Sequence, residues 1–174
     1  MIRKIVGVII IILIICGACF WFVRTDDVLE NSAIDPQNAT YIIEGQSVTL
    51  INGRAESAVA INSASKIVTQ YFGNEAIGDL NGDGMPDVAF VLSQSTGGSG
   101  TFYYVAVALK TANGYQGTNA ILLGDRIAPQ TTEIRSGQLI VNYADRNPGE
   151  PMTTQPSLGV SKYLKVNDTT LTAN

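Results

Sequence analysis

Histidine is absent from this 174-residue chain, and its two cysteines, Cys16 and Cys19, both lie inside one apolar run near the N-terminus. Without imidazole there is no Ser-His-Asp or Cys-His nucleophile, no side chain titrating near neutral pH by its ordinary value, and no His-ligated zinc or haem. Without cysteine beyond position 19, no disulfide can staple the rest of the chain, which must be held by its core or by a metal. Clusters of basic residues are missing too. Eleven Lys and Arg stand against fifteen Asp and Glu, and with Arg3 and Lys4 set aside nine face fifteen from Arg24 onward, or −6. A surface of that sign repels phosphate backbones, so nucleic acid is not an expected partner. What remains is carboxylate chemistry, serine or threonine activated by lysine, oxygen-ligated metals, or no catalysis. The length fits one domain.

The longest apolar run is IVGVIIIILIICGACFWFV, residues 5–23, nineteen residues without a charge. At 1.5 Å per residue a helix of that length nearly matches a hydrocarbon core of about 30 Å, which predicts a membrane-spanning anchor. Arg3 and Lys4 precede it, whereas Asp26, Asp27 and Glu30 follow Arg24. The positive excess orients residues 1–4 to the cytoplasm and everything after the anchor to the outside. Two alternatives use the same residues. Ile5 to Ile15 has the length of a secretory signal core, and Gly17-Ala18-Cys19 offers a lipoprotein processing site with lipid on Cys19. The Cys16-x-x-Cys19 spacing lies within the apolar run rather than beside a βαβ pattern, so it reads as two packing residues and not as a redox pair.

Residues 24–39 are polar, contain Pro36 and show no period, which predicts a linker leading to a domain over 40–174. Strand and tight-turn signals fill that domain. Tyr41–Glu44 and Ser47–Ile51 flank Gly45-Gln46, and Asn52-Gly53 and Ser136-Gly137 are further hairpin turns. Lys66–Phe72, Ala120–Leu123, Glu133–Arg135, Gln138–Tyr143 and Val160–Val166 are rich in β-formers. Asp87–Leu92 and Thr101–Leu109 are apolar without alternation, which predicts central strands buried on both faces. Only Ala55–Ala64 offers a helix. The expected fold is mainly β, either all-β or α+β, with an antiparallel sheet because the connections are short.

One segment carries chemistry. Asp79-Leu80-Asn81-Gly82-Asp83-Gly84-Met85-Pro86-Asp87 has the spacing D-x-N-x-D-G-x-x-D. Oxygen donors at loop positions 1, 3, 5 and 9, with the carbonyl of position 7, can converge on one cation when the backbone coils tightly, and Gly84 permits the sharp bend. Hard oxygen ligands in a flexible loop favour Ca²⁺ over Mg²⁺. The expected ligands are the side chains of Asp79, Asn81, Asp83 and Asp87 and the backbone of Met85. An EF-hand would place Glu at position 12, which here is Phe90 within an apolar run, so the expected loop joins two strands rather than two helices.

The stretch Gly78–Asp87 with the strand VAFVL after it resembles the calcium loop of FG-GAP-type repeats in integrin-like β-propellers, and its DxNxDG core is similar to dockerin and EF-hand loops. The resemblance implies Ca²⁺. It does not imply a propeller, which needs several repeats where this chain has one. From about Tyr71 to Tyr163 the chain also resembles a bacterial membrane-anchored extracytoplasmic domain, through GDLNGDG (78–84), GGSGTFYY (97–104), LGDR (123–126) and GEPM (149–152). That resemblance implies a location and no activity.

Other patterns are weaker. Ser63-x-x-Lys66 matches a nucleophile pattern but lacks its Ser-Asp-Asn and Lys-Thr-Gly partners. Gly97-Gly98-Ser99-Gly100 lacks the Gly-Lys-Ser/Thr ending of a phosphate loop and reads as a connection between central strands. Asp125-Arg126 reads as an exposed turn or a structural ion pair. Glu133, Asp145 and Glu150 would serve a glycan hydrolase only if two of them stood about 5 to 9 Å apart. The sequence therefore leads to a non-catalytic, membrane-anchored, extracytoplasmic calcium-binding module whose partner is the membrane, through its helix, and an envelope protein or glycan. The alternatives are a carboxylate-dependent hydrolase of envelope glycan, and a lipoprotein-type inhibitor or adaptor.

Overall fold

A computed structural model describes residues 35–60 and 63–174. The expected cytoplasmic end, anchor and most of the linker, residues 1–34, lie outside the described residues. Among the described residues no helix is long and apolar enough to cross a membrane.

Among the described residues twelve strands form three antiparallel sheets. β1 (Thr40–Ile43) and β2 (Gln46–Thr49) make a hairpin. The larger sheet runs β3 (Arg54–Ala58), β4 (Lys66–Gly78), β5 (Asp87–Ser95), β6 (Phe102–Thr111) and β7 (Gly114–Gly117), and β8 (Ile121–Asp125) also pairs with β6. A four-stranded sheet has the order β12-β11-β10-β9, from β9 (Ala128–Arg135), β10 (Gln138–Asp145), β11 (Leu158–Asn167) and β12 (Thr170–Ala173).

Local chemistry sets the tight turns. Glu44 and Gly45, Asn52 and Gly53, and Ser136 and Gly137 all hold positive φ, between 49° and 80°. Two consecutive left-handed residues twist a two-residue loop in the sense of the flanking strands, and Gly or Asn reaches that region at least strain. The second of these turns corrects the helix expected within the domain over Ala55–Ala64. The first part of that span, Ala55–Ala58, belongs to strand β3 (RAESA, Arg54–Ala58), because the Asn52-Gly53 turn folds the chain back and Arg54–Ala58 pairs with Gln70–Lys66. Helix-forming residues yield here to a strand partner already in place. Residues 61 and 62 lie outside the described residues.

The unalternating strands are buried on both faces, as their pattern predicts. Ala89, Val91, Val105 and Val107 pack with Leu139, Val141, Leu164 and Leu171 between the two large sheets. Val88, Phe90, Leu92 and Tyr104 face the other way, against Tyr41, Ile43 and Leu50 of the hairpin segment. Phe90 stacks on Tyr71 with centroids 4.4 Å apart and meets the edge of Tyr41 at 5.3 Å.

β7 and β8 lie successively along β6, broken at Thr118–Ala120, and all three sheets meet at that break. Ile42 donates its N–H to the Thr118 carbonyl at 3.2 Å and accepts from Ala120 at 2.7 Å. The Asn119 side chain donates to the Leu171 carbonyl at 2.9 Å and accepts the Leu171 N–H at 2.7 Å, so an amide side chain stands in for a neighbouring strand. Gly117 allows the approach, since a Cβ there would lie 2.2 Å from the Thr40 carbonyl oxygen. A 3-10 turn over Pro36–Asn38, capped by Asp35, is tied to the same body by the Tyr41 hydroxyl on the Pro36 carbonyl and by Asn52 N–H on Asn38 Oδ1.

Burial raises the pKa of Tyr41, Tyr71, Tyr104 and Tyr143, and nearby carboxylates add to it. A raised folded-state value means the stabilisation is complete below the unfolded tyrosine value near 10 and is lost as pH climbs through the folded values. Lys162, whose pKa burial lowers, works in the opposite direction, one group against four. The melting temperature should therefore hold between pH 8 and 9.5 and fall steadily above 10, with a shallower fall in Tyr143→Phe. A flat profile to pH 11.5 would refute this.

Candidate metal site

The segment Asp79–Asp87 leaves β4 at Gly78 and enters β5 at Asp87, so it joins two strands. Phe90, at the EF-hand's twelfth position, is a fully buried strand residue. Two features root the loop. Leu80 is 5 % exposed and belongs to the core between the large sheets. Gly78 sits so close to β9 that a Cβ would lie 3.0 Å from Ile134 Cγ2.

Above these roots the acidic and amide side chains organise the backbone. Asp79 accepts from Gly82 N at 2.6 Å and from Gly84 N at 2.9 Å. Asn81 Oδ1 accepts from Asp83 N at 3.1 Å while its Nδ2 donates to Asp83 Oδ2 at 2.9 Å, and Asp83 Oδ1 accepts from Met85 N at 2.8 Å. Gly82 and Gly84 both hold φ of +81° with nothing near an added Cβ, so glycine is required there by conformation rather than by space.

Asp87 is fully buried. Its Oδ2 accepts the Leu80 N–H and its Oδ1 the Lys110 N–H, both at 2.9 Å. The side chain thus bolts the loop to β6. Burial pushes the Asp87 carboxyl above the ordinary carboxylate range, those two amides pull it down, and the charges of Asp83 and Asp79 push it up again. No Lys or Arg pairs with Asp79, Asp83 or Asp87 among the described residues.

Of the five residues expected to hold Ca²⁺, the fold draws Asp79, Asn81, Asp83 and Asp87 into one hydrogen-bonded loop, with Met85 joined through its N–H. The oxygens face backbone amides, and no group of three or more Cys, Asp or Glu side chains has the geometry of a metal cluster among the described residues. Each carboxylate oxygen spends one of its two lone pairs on these bonds, which leaves donor capacity of the hard type that Ca²⁺ takes. Lys110 and Leu80, the two residues that fix Asp87, carry no sequence signal because they act through main-chain N–H groups. Only the β5–β6 register reveals the first of them.

The other candidates separate. Ser63 Oγ accepts from Ser65 N at 3.1 Å and Lys66 Nζ donates to Glu56 at 2.6 Å, so the two are engaged elsewhere. Hydrogen bonds from Lys66 and Arg54 hold Glu56 below the usual carboxylate range. Glu133 pairs with Arg135 and lies opposite Ile140, whereas Asp145 is five residues further along β10, ~16 Å away at the strand rise. That separation does not suit a glycosidase pair. Glu150 accepts from Asn147 N at 2.8 Å. Asp125 and Arg126 form an ion pair at 3.1 Å, and Arg146, which no sequence pattern marked, donates to the carbonyls of Thr154, Asp125 and Arg126. The Gly97–Gly100 segment does join β5 to β6. No family model, no curated protein and no solved structure matches the chain.

Proposed function

We propose that the chain is a membrane-anchored, extracytoplasmic, non-catalytic module that binds one Ca²⁺ at Asp79–Asp87 and acts as a binding or structural element of the cell envelope, with an envelope protein or glycan as partner. The apolar run at residues 5–23, with Arg3 and Lys4 before it, supports the anchor and its orientation, and the negative net charge argues against nucleic acid as a partner. The observation that carries the metal is the acidic cluster itself: Asp79, Asp83 and the buried Asp87 share one loop, and no Lys or Arg pairs with any of the three among the described residues. A divalent cation supplies the missing positive charge, through Asp79, Asn81, Asp83, Asp87 and the Met85 backbone.

Linkage sets the expected result. A cation that binds only the folded form stabilises it by RT ln(1 + [L]/Kd), and at 5 mM with Kd of roughly 10⁻⁴ to 10⁻³ M this is about 1 to 2 kcal/mol. The melting temperature of the full chain in detergent should rise by roughly 3 to 10 °C with 5 mM Ca²⁺, less with Mg²⁺, and return with EGTA. Asp83→Ala, an exposed substitution, should remove the calcium-dependent part alone. An unchanged melting curve in Ca²⁺ and in EGTA would overturn the metal assignment.

A further inference from the structure

Asparagine precedes glycine three times in the chain, at Asn52-Gly53, Asn81-Gly82 and Asn113-Gly114. Glycine leaves the following peptide nitrogen least hindered, because it has no Cβ to shield that nitrogen from the asparagine side chain. The dipeptide is chemically the same in all three places, so only the fold separates them.

The fold closes two of the three. Gly53 is buried and donates its N–H to the Gln37 carbonyl at 2.8 Å. Gly114 is buried too, at the start of β7, where it pairs with Thr111. Asn81 and Gly82, by contrast, are both exposed and belong to no strand. Around them the loop supplies what a cyclisation needs. The Gly82 N–H lies on Asp79 Oδ1 at 2.6 Å, so the nitrogen has a proton acceptor in place. Asn81 Oδ1 accepts the Asp83 N–H at 3.1 Å, which polarises the side-chain carbonyl and folds it back along its own backbone. Asn81 Nδ2 points outward from that ring, toward Asp83 Oδ2 at 2.9 Å.

We infer that Asn81 is a self-modification site, at which the Gly82 nitrogen attacks Asn81 Cγ and converts the asparagine to aspartate and isoaspartate through a succinimide. The N–Cγ bond forms and the Cγ–Nδ2 bond breaks. The Gly82 proton passes by way of Asp79 to the departing nitrogen, which leaves as ammonia, and water then opens the ring at either carbonyl. The aspartate product adds a carboxylate to the loop. The isoaspartate product adds a carbon to the main chain at position 81 and puts the oxygens of the D-x-N-x-D-G-x-x-D pattern out of step. The inference rests on the hydrogen bonds of the loop, not on the cation.

The experiment follows uptake of solvent oxygen by the full chain, in detergent and EGTA at mildly alkaline pH in heavy-oxygen water, mapped by tandem mass spectrometry for the folded protein and in urea. Folded, position 81 should take up label about tenfold faster or more than positions 52 and 113, and the three rates should converge in urea, where the fold no longer separates them. Asp79→Asn keeps an oxygen at the Gly82 N–H but removes the base, so it should slow labelling at position 81 by about tenfold or more and leave the urea rate unchanged. Slow labelling at positions 52 and 113 in the same sample shows that this variant is folded. A looser loop alone would speed position 81 rather than slow it. Equal rates at the three positions in the folded protein, faster labelling at 52 or 113, or an Asp79→Asn variant as fast as its parent would each overturn the inference. Failure of the calcium reading shows separately, as a melting curve insensitive to EGTA.

Discussion

Asp87→Ala should destabilise the protein by about 2 to 6 kcal/mol, because it strands two buried amide donors at roughly 1 to 3 kcal/mol each. Both oxygens of Asp87 are in use, one on Leu80 N–H and one on Lys110 N–H, and the residue has no exposed surface. The loss would be a large part of the ~5 to 15 kcal/mol by which domains are stable. Relief of repulsion from Asp79 and Asp83 offsets some of it. Asp87→Asn keeps one acceptor and turns an NH₂ toward the other N–H, so its loss should be intermediate. Urea denaturation in EGTA isolates this structural role from any cation. If Asp87→Ala is no more harmful there than Asp83→Ala, whose partners are exposed, the bolt between loop and β6 does not exist.

Phe90→Ala should be of similar size, about 3 to 5 kcal/mol, through the transfer term and the cavity left behind. Phe90 is fully buried at the centre of β5, stacked on Tyr71 and edge-on to Tyr41. Those two aromatic contacts add specificity worth ~0.5 to 1.5 kcal/mol each beyond area. The contrast is Phe72→Ala. Phe72 also meets a tyrosine edge-on, Tyr103 at 5.4 Å, but is 48 % exposed. Its loss should stay within about 1 kcal/mol by chemical denaturation, and equal losses at both positions would contradict the placement of the core against the β1–β2 hairpin.

The mainly β, antiparallel character was legible because the decisive signals are local. Asn52-Gly53 and Ser136-Gly137 announce their turns by residue type, and the unbroken apolar runs around Phe90 and Val105 announce two-sided burial. Strands β3, β7 and β12 were not legible. RAESA has no β preference of its own, and the short stretches Gly114–Gly117 and Thr170–Ala173 are strands only because β6 and β11 lie beside them. β4 also runs past Phe72 to Gly78, through Gly73 and Asn74 at φ of 100° and 56°, where the register shifts before pairing resumes at Ala76. Gly73 and Asn74 are residue types that reach positive φ, but only the partner strand shows that pairing resumes beyond them. The loop was legible for the same reason as the turns, since its D-x-N-x-D-G-x-x-D pattern is contiguous.

The Asn119–Leu171 amide pair also constrains the order in which the molecule can mature. Leu171, 1 % exposed, closes the core between the large sheets, and its main-chain groups are held by a side chain 52 residues earlier. A nascent chain can form the β1–β2 hairpin early, but its central layer stays open until β12 has been synthesised. Contacts this distant in sequence slow folding and leave strand edges exposed meanwhile. The domain is therefore built to reach its folded state only after β12 has emerged.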